Sequence, residues 1–191
     1  MTDKKYKTKV TYKTDETGRK MQAITENTQS LQYLTFQSRQ DCYAIEILSI
    51  KEIIELGSVT KVPLMPEFIK GVINLRGSVV PVIDLSARLC GEVIEVGRRT
   101  CIIICEFSIS DNLIEMGVIV DGVNEVIEVD AKDLTNSPQF GAQIRADFIA
   151  SMVRRGDELL IALDLEKVLS VEEMAELIEL SERSSHLGES A

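Results

Sequence analysis

Apolar residues recur along this chain in short blocks, broken by glycine, proline and clusters of polar residues. The densest block runs from Phe68 to Leu85. Within it, Gly71 to Leu75 and Val79 to Ile83 read as two strands joined by a tight turn at Arg76-Gly77-Ser78. Valine and isoleucine crowd both strands, as a pleated and largely buried surface requires. Gly77 supplies the positive φ that such a turn needs. Pro81 has no amide donor, which places its strand at a sheet edge or at a bulge. Asn74 and Arg76 are polar exceptions in this apolar setting, and an arginine withdrawn from water needs a partner.

Residues 1–30 are polar, rich in Thr and Lys, and without periodicity, which predicts a flexible basic tail. Leu31, Tyr33, Leu34 and Phe36 open a strand, and Ser38-Arg39-Gln40-Asp41 turns it. Cys42 to Ile47 reads as a second strand with Tyr43, Ile45 and Ile47 on one face. Ile50, Ile53 and Ile54 continue the apolar pattern, and Gly57 to Val62 is a connector closed by Pro63 and Pro66. After the dense block, Asp84 caps a short helix that stops near Gly91. Strands follow over Thr100 to Phe107, Leu113 to Val120 and Val123 to Val129. Ser108 to Asn112 is a turn, and Asp121-Gly122 a turn of hairpin type. Asp130 to Arg145 is a loop; Phe148 to Arg154 and Leu159 to Leu163 form a last hairpin around Arg155-Gly156-Asp157-Glu158. Ser170 with Glu173 makes a capping box, and Val171, Met174, Ala175, Leu177 and Ile178 form a helical stripe that should dock on the body.

The two halves of this pattern resemble each other. Tyr43 to Leu56 can be laid on Met116 to Val129 at a constant offset of 73, matching Ile45 with Val118, Glu52 with Glu125 and Glu55 with Glu128. Arg76-Gly77 matches Arg155-Gly156 at an offset of 79, and Asp84-Leu85 and Leu89 match Asp164-Leu165 and Leu169 at 80. The ordered landmarks point to two similar small β-barrels packed together. Each half then carries a structural pair, Glu52 with Arg76 and Glu125 with Arg155. Two readings stay open: a salt bridge that pins each barrel, or an arginine also presented at a binding surface.

Composition narrows the function. With 45% hydrophobic residues but only 5% aromatics and no tryptophan, the 191-residue chain can build an aliphatic core. Net charge is −10, with seven Lys/Arg against three Asp/Glu in residues 1–20 and six acids against one Arg in residues 170–191. The acidic body argues against nucleic acid as a partner. No apolar run is long enough to insert in a membrane, and no secretory signal opens the chain. Cys42, Cys90, Cys101 and Cys105 are then expected as thiols in a reducing cytosol. Cys101 and Cys105 share one strand face without a second metal-ligand pair, and His186 stands alone near the end, so no metal or other cofactor is expected. One aspartate per half invites comparison with aspartic proteases, whose two carboxylates share a proton. Asp84 and Asp164 lack the glycine and hydroxyl neighbours of that chemistry and read as helix caps. No catalytic set emerges, so binding is the function left.

Phe68-Ile-Lys-Gly-Val-Ile-Asn-Leu-Arg-Gly77, followed by Val79-Val-Pro-Val-Ile-Asp-Leu85, strongly resembles the hallmark of the CheW family of bacterial chemotaxis coupling proteins. The likeness covers about residues 31–180. It implies a mainly β fold of two five-stranded, SH3-like barrel subdomains with short helices and a C-terminal helix. The layout implied is a tail over 1–30, intertwined halves over about 31–95 and 99–169, a closing helix over 170–181 and a tail over 182–191. It also implies a non-enzymatic adaptor that joins the regulatory domain of the histidine kinase CheA to the cytoplasmic tips of chemoreceptors, recruited to membrane-associated arrays. In the family the first barrel meets the kinase and an apolar groove between barrels meets the receptor. Carried onto this sequence, the receptor-contact candidates are Glu52, Arg76, Ile50, Asn74 and Gly71. The kinase-contact candidates are Gly57, Val59, Val62 and Met65. The basic start and acidic end depart from the family pattern and leave open an adaptor of a non-flagellar pathway. A small hydrolase is the rival from another class.

Overall fold

The structure is a computed structural model and describes residues 9–11, 24–26, 30–109, 112–135 and 144–168. The expected helix over 170–181 and the last tail lie outside the described residues. Within the stretch read as a tail, β1 (Lys9–Thr11) and β2 (Ile24–Glu26) pair antiparallel with each other. The body then runs β3 (Ser30–Ser38), β4 (Asp41–Glu46), β5 (Ile50–Glu55), β6 (Ile69–Leu75), β7 (Ser78–Asp84) and α1 (Leu85–Cys90). Its second half runs β8 (Cys101–Ile109), β9 (Asn112–Val120), β10 (Gly122–Asp130), β11 (Leu134–Thr135), β12 (Ile149–Arg155), β13 (Glu158–Leu163) and α2 (Leu165–Val168).

The halves exchange strands. One sheet has the order β5-β8-β9-β7-β6 and the other β10-β3-β4-β13-β12-β11. Each therefore takes its first two repeat strands from the opposite half. The parallel contacts correspond as well, Ile83 beside Val118 in one sheet and Ile161 beside Tyr43 in the other. The second sheet gains a sixth strand because β11 adds to β12, with Thr135 opposite Met152. Thr60 does the same beside Val72 in the first sheet, but as a single bridge. Asp121-Gly122 is consequently no hairpin turn. It is a crossing between sheets, since β9 pairs with β8 whereas β10 leaves to pair with β3.

Among the described residues, three cores hold the sheets. Ile73, Val80, Val82, Ile94, Ile102, Ile104 and Ile119 fill the first barrel. Tyr33, Ala44, Val129, Val153, Leu160 and Ala162 fill the second. The largest core lies between them and includes Phe36, Ile45, Ile83, Ile103, Cys105, Met116 and Phe148. β8 shows why its sequence does not alternate: Ile102 and Ile104 face one core while Ile103 and Cys105 face another. A strand covered on both faces reads as one apolar run.

Pro81 sits on an inner strand, not an edge. It is opposite Val72, whose amide and carbonyl both bond Thr60 on the far side. The ladder between β7 and β9 starts one residue later, at Val82, so no partner requires a Pro81 amide. The bulge in this hairpin lies on β6, between Ile69 and Gly71.

Cys105 is fully buried, and burial pushes its thiol from 9.0 up to about 12. In the unfolded chain the thiol ionises near its ordinary value, so its contribution to stability is complete below pH 9 and is lost as pH rises toward 12. We expect stability from urea unfolding to fall above pH 9 by up to about 1.4 kcal/mol per pH unit from this thiol. Tyr43, held up to about 12 chiefly by burial and also by Asp41, adds to the fall above pH 10. Cys105→Ala should have a shallower slope; an unchanged slope would contradict this account.

Candidate functional site

One ion pair closes each barrel, and the two pairs are equivalent in the repeat. In the first sheet β5 and β6 are the opposite edges. Arg76, in the turn that ends β6, reaches Glu52 on β5 at 2.7 Å, so the sheet curls until its edges meet. Arg155 at the end of β12 reaches Glu125 on β10 at 2.9 Å in the second barrel. Both glutamates sit at bulges, where β5 shifts register between Ile50 and Glu52 and β10 between Val123 and Val126. A bulge re-aims a side chain out of regular alternation. At Glu125 the hydroxyl of buried Thr35 accepts from the Glu125 amide (3.2 Å) and donates to its carbonyl (2.9 Å), satisfying the bulge.

Arg76 and Gly77 form a two-residue loop between Leu75 and Ser78, both with positive φ (54° and 95°). Asn74 Oδ1 accepts the Gly77 amide at 2.8 Å, so this polar exception holds the turn. Arg76 is not withdrawn from water as its apolar setting implies: its side chain is 75% exposed, against 21% for Glu52. The tight loop projects the side chain beyond both strands, into water. With its arginine largely in water the pair contributes about 0–1 kcal/mol, so Arg76→Ala should shift stability by no more than that, with equally small coupling to Glu52→Ala in a double-mutant cycle. A loss of about 3 kcal/mol would show instead that the pair is desolvated.

The other candidates divide. Ile50 is half-buried, opposite Cys105 and packed against the core between the barrels. Gly71 is buried, so its backbone position and not a contact surface is what it provides. Its φ is +137°, and an added Cβ would lie 2.0 Å from the Thr60 carbonyl oxygen. Gly71 thereby admits the segment that carries Gly57, which is exposed, and Val59, which packs against the first barrel's core. Val62 and Met65 are half-buried further along, Met65 against the central core. The structure thus gathers Glu52, Asn74 and Arg76 at one seam and leaves Ile50 and Met65 as partial core residues.

Exposed apolar side chains near these candidates include Ile53 and Leu64. Ile53 (42% exposed) points outward beside Glu52 because β5 buries alternate residues from Ile50. Leu64 is fully exposed at a positive φ of 65°, between Pro63 and Met65. The signal for Ile53 lies in the alternation; for Leu64 it lies in its flanking prolines, which fix a turn. The capping aspartates stay apart in role. Asp84 is buried beside Lys70, and Asp164 pairs with Lys167 of its own helix. Among the described residues no group of three His, Cys, Asp or Glu side chains could hold a metal ion, and no helix is long and apolar enough to cross a membrane.

Two curled sheets sharing a core, each closed by an ion pair with an exposed arginine, define a double-barrel module. The family model described as the CheW-like domain matches residues 32–173. The chemotaxis protein CheW of Klebsiella aerogenes is 34% identical over 144 residues, covering 75% of this chain and 84% of the relative. That of Bacillus subtilis is 40% identical over 131 residues, covering 68% and 81%. The crystal structure of the scaffolding protein TtCheW from Thermoanaerobacter tengcongensis superposes with a TM-score of 0.67 at 31% identity, covering 75% of this chain and 90% of that one. The chain belongs to the CheW-like family.

Proposed function

We propose that this chain is a non-enzymatic cytoplasmic adaptor that couples chemoreceptor tips to the regulatory domain of the kinase CheA. The observation that carries the reading is the family match, which spans both barrels. Relatives named as chemotaxis proteins and a structural neighbour described as a scaffold support it. The seam geometry fits the receptor side. Arg76 is held in a fixed loop yet exposed, and an arginine presented this way is the kind of residue that anchors interfaces. On this proposal the connector with Gly57, Val59, Val62 and Met65 is the segment that meets the kinase, and the exposure of Gly57 and Leu64 along it supports that reading.

Purified protein should bind a receptor signalling domain and the CheA regulatory domain, each measured by calorimetry. Arg76→Ala, folded and of nearly unchanged stability, should weaken receptor binding by about tenfold or more and leave kinase binding intact. Unchanged receptor affinity in that variant removes Arg76 from the interface. Absence of binding to either partner by the unaltered protein sinks the adaptor reading.

A further inference from the structure

We propose that Arg88 positions the connector running from Gly57 to Phe68 by tying its end to the opposite half of the fold. Arg88 lies in the last turn of α1. Its guanidinium carbon is 4.5 Å from the centre of the Phe68 ring and 5.3 Å from that of Phe148. These phenylalanines are repeat equivalents at the offset of 80: the Phe68 carbonyl accepts from the Asp84 amide and the Phe148 carbonyl from the Asp164 amide. Arg88 Nε also donates to the carbonyl of Val168, at the end of α2. One guanidinium from the first half therefore engages an aromatic ring and a main-chain carbonyl of the second.

The repeat breaks at this point. Val168 occupies the place in α2 that Arg88 occupies in α1, so the arrangement is built once and not twice. Its target differs correspondingly: Phe148 is fully buried, whereas Phe68 is only half-buried and ends the connector. The connector is fastened near its start by Thr60, which bonds Val72 in both directions, and Arg88 completes the fastening at its end. Exposed Leu64 and half-buried Met65 lie between these two points. The consequence for kinase docking rests on the function proposed above; the positioning itself does not.

Arg88→Met keeps the length and apolar contact of the side chain while removing its charge and donors. Amide hydrogen exchange at Ile69, whose amide bonds the Pro66 carbonyl at the connector's end, should then quicken by about tenfold, the loss of one charged hydrogen bond and its ring contacts, while β8 and β9 keep their protection. Unchanged exchange at Ile69 overturns the proposal, and so does an equal rise everywhere, which would mark a merely global loss of stability. If Arg88→Met does not fold, Phe68→Leu carries the same test, because it removes one ring and leaves the bond to Val168. Kinase-domain affinity measured on the same variants separates the two claims. Faster connector exchange with unchanged affinity leaves Arg88 as the positioning residue and removes the connector from the kinase interface.

Discussion

Replacing Asp84 by alanine is expected to cost about 3–5 kcal/mol of stability, the range for stranding a buried charge and its donors. The Asp84 side chain is completely buried. Its Oδ1 accepts the Ala87 amide at 3.1 Å and so caps α1. Its Oδ2 accepts the Ile94 amide at 2.9 Å and meets Lys70 Nζ at 3.1 Å. Alanine would leave two donors and one ammonium without their acceptor, and it would release Ile94, a plug of the first barrel's core. Asp84→Asn would retain one acceptor oxygen but would direct an amide group at Lys70 or Ile94, so its stability should fall between those of the unaltered protein and Asp84→Ala. Asp164 is the internal control. It caps α2 through the Lys167 amide at 3.3 Å, and its ion pair is with Lys167 of the same helix. Asp164→Ala should therefore cost only what a helix cap contributes, about 0.5–2 kcal/mol. Urea unfolding measures both. A loss below about 1 kcal/mol at Asp84 would mean that water reaches Lys70 and the two amides.

The contrast between these aspartates shows where the sequence is legible. Both read as caps from their places before short helical segments, because capping is a local event. The environment of Asp84 is not local: Lys70 and Ile94 arrive from different elements. The repeat is legible for the same reason as the caps, since each copy preserves its bulges and turns. At an offset of 80, Ile69 opposite Ile83 becomes Ile149 opposite Leu163, with the same bulge beside each pair. The offset of 79 at Arg155 is one residue out of this frame, so Arg155 ends a strand whereas Arg76 lies in a loop. Both still find the equivalent glutamate, because long side chains tolerate that shift.

Strand partnership is the part that sequence leaves open. Period-two patterning states which face of a strand is buried, not which strand lies beside it. Val123 to Val129 fits a hairpin with the strand before it as well as it fits pairing with β3, and the fold takes the second option. Burial of Arg76 misleads for a related reason. Its neighbours in sequence are apolar, but a two-residue loop projects its side chains past the sheet, where neighbours in sequence do not cover them. Exposure at the seam is thus a product of turn geometry. That geometry is what makes Arg76 available at the surface, paired with the more covered Glu52, while Asn74 secures the turn behind it.

Gly71→Ala should destabilise by about 2–5 kcal/mol, combining backbone strain with the loss of two main-chain hydrogen bonds. Two independent features demand glycine here. The φ of +137° is one that L side chains rarely adopt, and the added Cβ would lie 2.0 Å from the Thr60 carbonyl oxygen and 2.7 Å from its carbon. Those atoms are backbone, so no side chain can swing aside. Relief requires Thr60 to withdraw, which breaks its bonds to Val72 at 2.9 and 2.8 Å. Gly117 provides a comparison of steric crowding alone: its Cβ would approach the Ile102 Cγ2 at 2.8 Å, a side-chain atom in the first barrel's core. Gly117→Ala should cost about 1–3 kcal/mol, as overpacking does. At Gly57 nothing lies within 4 Å, so Gly57→Ala should be close to neutral. Gly71→Ala should also free the segment around Val59 and Thr60 to exchange its amides faster than the β8–β9 strands, and on the proposed function it should weaken kinase binding more than receptor binding. Equal melting temperatures for Gly71→Ala and Gly57→Ala would show that the Thr60 bridge is not held as the structure has it.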